Sequence, residues 1–216
     1  MLVGTWPSDA YSVRFDADRG KRLLVVHPLF DEANKLRHLI VETMRALDVA
    51  AIDSALIDLP GTNESLAPLR EQSLESWIRA VEEFSKAFRA THILAIRAGA
   101  ACVSTSLPCL FYAPHSPASQ LRSMIRARVL SEREAGREVS REELLAEAER
   151  EGITVAGYEL SADMVRALQN ASVSEVNAST IAQAEIGGAP LWLRAEPDHD
   201  ADQSEALAAR IEALMS

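Results

Sequence analysis

The feature that most constrains the fold of this chain is the segment 91–100, which reads Thr-His-Ile-Leu-Ala-Ile-Arg-Ala-Gly-Ala. Its aliphatic residues are typical of a buried strand, and they run directly into a turn in which Ala95 and Gly99 flank Arg97. Small flanking residues are needed where a strand turns sharply into a helix, because the two backbones approach closely there. The segment therefore predicts a strand, a tight turn with position 97 at its tip, and a helix that begins at Ala98.

Arg97 is an unexpected residue for the tip of such a turn. Turns of this kind present a serine nucleophile in hydrolytic enzymes, whereas an arginine stays protonated and does not attack a carbonyl carbon. One interpretation is that Arg97, with the free N–H groups of the following helix, binds a carboxylate or phosphate. The other is that Arg97 pairs with a buried carboxylate of the chain itself, and Asp58, at the end of a neighbouring predicted strand, is the first candidate.

The order of the apolar segments predicts the architecture around this turn. Short apolar runs alternate with longer amphipathic segments, which is typical of a mainly parallel sheet with helices on both faces. The predicted strands are an edge strand at 11–15, followed by 23–26, one within 50–59, 93–96, 107–112 and 190–195. The predicted helices are 32–47, one that begins at Ser73, the helix after the turn, and 201–215.

A stretch of different composition separates the fourth of the buried strands from the late one. Residues 119–152 are rich in Arg, Glu, Ala and Leu, and Ser140-Arg141-Glu142-Glu143 has the capping-box pattern of a helix start. A second helix is predicted at 161–171. We therefore expect a single domain, 1–216, with a helical cap inserted at about 118–172. The cap would lie above the carboxyl ends of the strands, where doubly wound sheets bind their ligands.

Composition narrows the classes of partner and cofactor. The formal net charge of −10 argues against a nucleic-acid partner, because phosphates favour a basic surface. The sequence contains no apolar run of about 20 residues, so no membrane span is expected. Without a visible export signal, a cytoplasmic location is the default. Cys102 and Cys109 lack metal or redox spacing, the carboxylates lack the spacing of a metal site, and no phosphate-binding glycine motif is present, so no metal or cofactor is expected.

Three further segments carry a resemblance to a known family. They are His27-Pro28-Leu29-Phe30-Asp31-Glu32-Ala33-Asn34-Lys35, then Ile57-Asp58-Leu59-Pro60-Gly61, and Val155-Ala156-Gly157-Tyr158-Glu159-Leu160-Ser161. In this order, over residues 20–195, the chain resembles the α/β-hydrolase superfamily, in particular the exosortase A system-associated hydrolases found with bacterial exopolysaccharide clusters. The resemblance implies an α/β-hydrolase-like, doubly wound, mainly parallel sheet with a helical cap and a truncated C-terminal end.

The resemblance also assigns positions to the catalytic roles of the superfamily. The nucleophile position is occupied by Arg97, and Asp198 stands where the acid is expected. Only one helix is predicted after Asp198, so we expect the superfamily's last strand and its histidine to be absent from this sequence. A backbone N–H of Leu29 or Phe30 would stabilise an oxyanion.

Two functions from different classes follow. The first is a catalytically degenerate protein that binds a small acidic ligand or a protein partner in an exopolysaccharide or exosortase-associated system. Its ligand-binding residues would be Arg97, Ala98, His27, Leu29, Phe30, Asp58 and His115. The alternative is an active hydrolase of esters or acyl groups, with His115 as base and Ser116 or Ser104 as nucleophile. The missing last strand would also expose a sheet edge, which allows a homodimer.

Overall fold

The computed structural model describes residues 1–6, 10–173 and 177–216. Within them the strands are β1 (Leu2–Thr5), β2 (Tyr11–Phe15), β3 (Arg22–Val26), β4 (Asp53–Ile57), β5 (His92–Ile96), β6 (Cys109–Tyr112), β7 (Ile153–Val155), β8 (Tyr158–Leu160) and β9 (Ala178–Ile181). The α-helices are α1 (Asp31–Val49), α2 (Leu74–Phe88), α3 (Pro117–Glu134), α4 (Arg141–Glu151), α5 (Ala162–Asn170), α6 (Gln183–Ile186) and α7 (Ala201–Leu214). Short 3-10 helices span Leu69–Glu71, Arg97–Cys102 and Leu191–Leu193.

Seven strands form one sheet in the order β1-β2-β4-β3-β5-β6-β9. Strands β4, β3, β5, β6 and β9 run parallel, and β1 and β2 form an antiparallel end of the sheet. This topology confirms the predicted doubly wound, mainly parallel sheet. The strand predicted at 11–15 is present, but its edge position is wrong, because β1 pairs on its outer side.

Both faces of the sheet are covered, which explains why its central strands are continuously apolar. Successive side chains of a strand point to opposite faces. Leu24 and Val26 belong to the apolar layer that also contains α2 and the cap. Leu23 and Val25 belong to the other layer, with α1 and α7. The turn at Arg97 therefore lies at the carboxyl edge of a sheet that is held rigidly from both sides.

The cap consists of α3, α4, the β7–β8 hairpin and α5, which lie between β6 and β9. Two of its helices begin as the sequence indicates. Ser140 and Glu143 form the capping box that starts α4, and the Ser161 side chain caps α5.

The predicted late strand at 190–195 is wrong. Residues Leu191–Leu193 form a 3-10 helix, and the strand that follows the cap is β9, which pairs with β6. The sequence of β9, Ala-Ser-Thr-Ile, has a single buried residue because it lies at the sheet edge, so it lacks the apolar signature of a central strand. In the described part of the chain no strand pairs with the outer side of β9.

The predicted α-helix after the turn is also wrong in type and length. Residues Arg97–Cys102 form a 3-10 helix of six residues. The chain then crosses to the amino edge of the sheet, where β6 begins beside Ile93. The residues after Arg97 are small, so they pack closely under the cap without the longer side chains that a full amphipathic helix would present.

Candidate functional site

The turn after β5 has the strained, closely packed backbone that the sequence predicts. Arg97 has a φ of 54°, in the left-handed region that residues other than glycine rarely occupy. Gly99 lies so close to the end of β3 that a Cβ there would be 2.2 Å from the carbonyl oxygen of His27. Ala95 is completely buried. The small flanks of the pattern therefore reflect a real approach of two backbones.

The side chain of Arg97 is bound on every side by the protein. Its Nε donates to Glu32 Oε2 at 3.1 Å, its Nη2 donates to Glu32 Oε1 at 3.2 Å, and its Nη1 donates to the carbonyl oxygen of Ala113 at 3.0 Å. The guanidinium carbon lies 4.3 Å from the centroid of the Trp192 ring. Only 9% of the residue is exposed. Glu32, in the first turn of α1, is thus the internal partner, and the suggestion of Asp58 in that role is wrong.

Asp58 belongs to a separate polar cluster at the end of β4. Its Oδ1 lies 2.6 Å from Arg37 Nη1. The Asn63 side chain and the Glu64 backbone N–H also donate to its carboxylate. The charge of Asp58 is compensated by Arg37, so Asp58 is not available to Arg97.

The loop expected to stabilise an oxyanion is covered by the cap. Leu29 is fully buried and Phe30 is 4% exposed. The Phe30 ring packs edge-on against Tyr158 of the β7–β8 hairpin, with centroids 5.2 Å apart. The Gln120 side chain of α3 donates to the carbonyl oxygen of Leu29 at 2.8 Å.

The loop and the turn share one apolar core cluster with the cap. Leu29, Phe30 and Ala98 belong to one buried cluster with the cap residues Leu121, Met124, Ile125, Val155, Leu160, Met164, Val165 and Leu168. The loop at Leu29 and Phe30 is therefore buried together with the cap.

His27 is a satisfied, buried histidine under the turn. Its Nδ1 contacts the carbonyl oxygen of Pro28, and its Nε2 accepts from the backbone N–H of Leu59 at 3.4 Å. Burial lowers the pKa of the imidazole below its ordinary value. A neutral ring with a proton on Nδ1 fits both contacts, so His27 connects the ends of β3 and β4.

His115 and Ser116 lie together after β6, and His115 is close enough to Arg97 to feel its charge. They line a space of about 410 Å³ with Thr180 of β9. Burial, and then the positive charge of Arg97, lower the pKa of His115. The Ser116 hydroxyl caps α3 by accepting from the backbone N–H of Ser119 at 3.4 Å.

Ser104 does not join His115. It lies with Arg89 and Ile93 at the amino edge of the sheet, where β5 begins. His115 follows β6 at the carboxyl edge, about 13 Å away along four strand residues. The suggested pairing of His115 with Ser104 is therefore wrong.

Asp198 lies outside this site. It follows a 3-10 helix instead of a strand, its side chain is about half exposed, and it pairs with Arg194 at 3.4 Å. The residue that follows the last strand of the sheet by two positions is Gln183, whose side-chain oxygen accepts a hydrogen bond from the Tyr112 hydroxyl. The assignment of Asp198 as an acid loses the strand on which it depended and stays a prediction.

Sequence reasoning missed three partners of Arg97: Glu32, Trp192 and the Ala113 carbonyl. Glu32 lies within the segment 27–35, and an acidic residue in the first turn of a helix is favourable because of the helix dipole. That signal explains its presence but not its partner. Trp192 was placed on a strand that does not exist, and a carbonyl contact has no sequence signature.

Within the described residues, no cluster of three or more His, Cys, Asp or Glu side chains has a geometry that would hold a metal ion. None of the helices there is both long and apolar enough to cross a membrane.

Solved structures that resemble the whole chain share this architecture. Est1E from Butyrivibrio proteoclasticus, with ferulic acid bound, matches with a TM-score of 0.59 and 14% sequence identity over 96% of this chain and 95% of that one. The chain has an α/β-hydrolase fold. Mouse α/β hydrolase domain-containing protein 10 matches with a TM-score of 0.54 and 10% identity over 95% and 93% of the two chains.

The bottromycin epimerase BotH, in complex with bottromycin A2, matches with a TM-score of 0.55 and 15% identity over 99% of this chain and 98% of that one. No protein-family model and no curated protein matches the sequence. A protein named as an epimerase and one named as a hydrolase thus share this fold, so the fold leaves the reaction open.

Proposed function

We propose that this protein is a catalytically degenerate α/β-hydrolase-fold protein that binds a partner and does not hydrolyse esters. The resemblance of its sequence segments supports a place in an exopolysaccharide or exosortase-associated system. The observation that carries the proposal is the closed environment of Arg97: a carboxylate, a backbone carbonyl and an indole ring surround the group at the nucleophile position.

The chemistry of acyl transfer supports the same conclusion. A serine hydrolase needs a nucleophile, a base and an acid within hydrogen-bond reach of one another, beside an open oxyanion site. Here the nucleophile position holds a cation, and the loop at Leu29 and Phe30 lies under apolar cap side chains. A substrate carbonyl would have to displace packed residues to reach the turn.

The same geometry distinguishes the two kinds of binding partner. A small acidic ligand at Arg97 would compete with Glu32, whose two carboxylate oxygens already accept from the guanidinium. Displacing Glu32 would leave a carboxylate that is 12% exposed without its counter-charge, which is costly. We therefore favour a binding role that does not use Arg97 as an anion receptor.

Turnover and active-site labelling test this proposal. Short-chain p-nitrophenyl esters and a fluorophosphonate probe should give no turnover and no labelled serine on folded protein. Arg97→Ser, which places a hydroxyl at the turn, should also stay inactive because the neighbouring loop at Leu29 and Phe30 is buried against the cap. Ester turnover by the natural protein would overturn the proposal.

The second candidate is a hydrolase that uses Ser116 and His115, because the two residues line the same cavity. Its signature is turnover or labelling that Ser116→Ala abolishes and His115→Gln reduces. Ser123→Ala, on the exposed side of the same helix, is the matched control and should leave such activity unchanged.

A further inference from the structure

A cavity of about 680 Å³ lies away from Arg97, between the β1–β2 hairpin, the segment after β4 and helix α2. This volume falls within the range of about 300–1,000 Å³ that small-molecule sites occupy. Most of its walls are apolar or aromatic, and they include Tyr11, Ile57, Leu66, Ala67, Ala80 and Phe84. The cavity therefore suits a molecule with an apolar body.

The charged groups of this cavity are all carboxylates. Asp58 is neutralised by Arg37, but Glu64 and Glu83 have no ion-pair partner among the described residues. Both glutamates are exposed, which places their charges where the cavity opens to solvent. The described residues that line it include no lysine or arginine. A net charge of −10 adds a long-range attraction for cations.

Aromatic rings form part of the apolar wall. They suit the apolar body of a ligand, especially an aromatic one. Tyr11 and Phe84 both line the cavity, and Trp6 fixes the Phe84 ring by an edge-on contact with centroids 5.5 Å apart. Leu66, on the segment after β4, is wholly exposed and offers a further apolar contact at the rim.

We propose that this cavity binds an organic cation that has an apolar, preferably aromatic, body and one protonated amine. The body packs among Tyr11, Ala80 and Phe84, and the amine lies at the carboxylates of Glu64 and Glu83. The site does not involve Arg97, so it stands whether or not the turn after β5 is inactive.

Three isosteric probes test the choice of charge by calorimetric titration at pH 7: 3-phenylpropylamine, 3-phenylpropanol and 3-phenylpropionate. The amine should bind more tightly than the alcohol, and the acid most weakly. Raising the salt concentration should lower the affinity for the amine and leave the affinity for the alcohol unchanged, because only the amine interacts with the exposed charges. Failure of the amine to bind, or equal or tighter binding of the acid, would overturn the proposal.

Variants locate the site. Glu64→Gln and Glu83→Gln should each lower the affinity for the amine by about threefold to fivefold, as expected for exposed charge pairs. The affinity for the alcohol should not change. Glu82→Gln is the matched control, since Glu82 is the adjacent acid on α2 but lines another cavity. Ala80→Trp should fill the space and remove binding of all three probes, with circular dichroism to verify folding. Unchanged amine binding in Ala80→Trp, or equal affinities of the Glu83→Gln and Glu82→Gln variants, would contradict the assignment.

Discussion

Two arginines, one at each edge of the sheet, are held in the same way. At the amino edge, Arg22 Nη1 lies 2.6 Å from Asp53 Oδ2, its Nε donates to the Phe88 carbonyl at 2.7 Å, and its guanidinium carbon lies 4.3 Å from the Phe88 ring centroid. At the carboxyl edge, Arg97 has a carboxylate, a backbone carbonyl and an aromatic ring at the same 4.3 Å. Arg22 lies in a regular strand at the edge opposite to the one where ligands bind in such sheets.

The side-chain contacts of Arg22 show how those of Arg97 can be interpreted. Its side chain has the contacts of a structural arginine, as Arg22 does, and only its backbone differs, with the left-handed φ of a strained functional turn. The turn after β5 thus combines a left-handed backbone at its tip with a side chain whose contacts are all internal. Breaking each pair measures how far the likeness extends.

The largest effect is expected at the amino edge. Asp53 has a fully buried side chain and accepts from the backbone N–H groups of Ala17 and Arg19 as well as from Arg22. Asp53→Ala should lower the free energy of unfolding by about 3–5 kcal/mol. It removes the fully buried carboxylate nearest to Arg22, leaving the partly exposed Asp16 as the remaining close partner, and it removes the acceptor of two backbone N–H groups. Urea unfolding measures this, and a loss below 1 kcal/mol would show that the pair is not structural.

Glu75→Gln provides the control for that experiment. It breaks an exposed pair with Arg79, in which both side chains are more than 60% accessible. Its free energy of unfolding should change by less than about 0.5 kcal/mol.

A smaller loss is expected at the carboxyl edge. Arg97→Met keeps an apolar contact with Trp192 but removes the positive charge that pairs with Glu32. The Glu32 side chain is 12% exposed. Because water reaches Glu32 in part, the loss should be about 2–3 kcal/mol, below that of a fully buried pair. Arg126→Met, on the exposed side of α3, should stay within about 0.5 kcal/mol. A loss at Arg97 no larger than at Arg126 would break the comparison.

The smallest expected effect of removing Arg97 is on the pKa of Tyr112. The Tyr112 ring contacts Trp192, which in turn contacts Arg97. The two rings meet edge-on with centroids 6.0 Å apart. Burial raises the pKa of the phenol from 10 to about 12, and Arg97 opposes this rise. Because the folded protein holds the proton more strongly, this contribution to stability is complete below pH 10 and is lost as the pH rises through 12.

Absorbance titration at 295 nm measures the phenol directly. In Arg97→Met the pKa of Tyr112 should rise further, since a nearby positive charge is gone. A fall, or no change, would mean that Arg97 does not act on Tyr112. Among the described residues no tyrosine ring packs against Arg22 or Phe88, so a variant at Arg22 should leave this titration unchanged.

Local patterns predicted the central sheet because each buried strand carries its own signal. The run at 23–26 and the turn at Ala95–Gly99 depend on residues next to one another in sequence, and both are present. The sequence does not predict β9, because edge strands need few apolar residues. It predicts a strand at 190–195 instead, because an apolar run as short as Leu191–Leu193 has no periodicity that distinguishes a strand from a helix.

The candidate site was less predictable because its contacts are long-range. Arg97 was recognised as the decisive residue, but Glu32 is 65 positions away and competed with several other carboxylates. Which acid lies nearest to Arg97 depends on the direction in which α1 leaves Phe30. Phe30 has a φ of 56°, and the sequence gives no sign of this backbone conformation. The organic-cation cavity is likewise built from three separated segments.

The coupling free energy between Arg97 and Glu32 tests the central claim most directly. It is obtained from the unfolding free energies of the natural protein, Arg97→Met, Glu32→Gln and the double variant. We expect a favourable coupling of about 1–3 kcal/mol, as contacting groups in one network give. No coupling, together with an Arg97→Met variant that is as stable as the natural protein or more so, would contradict it, because that is the behaviour of a residue retained for ligand binding or catalysis.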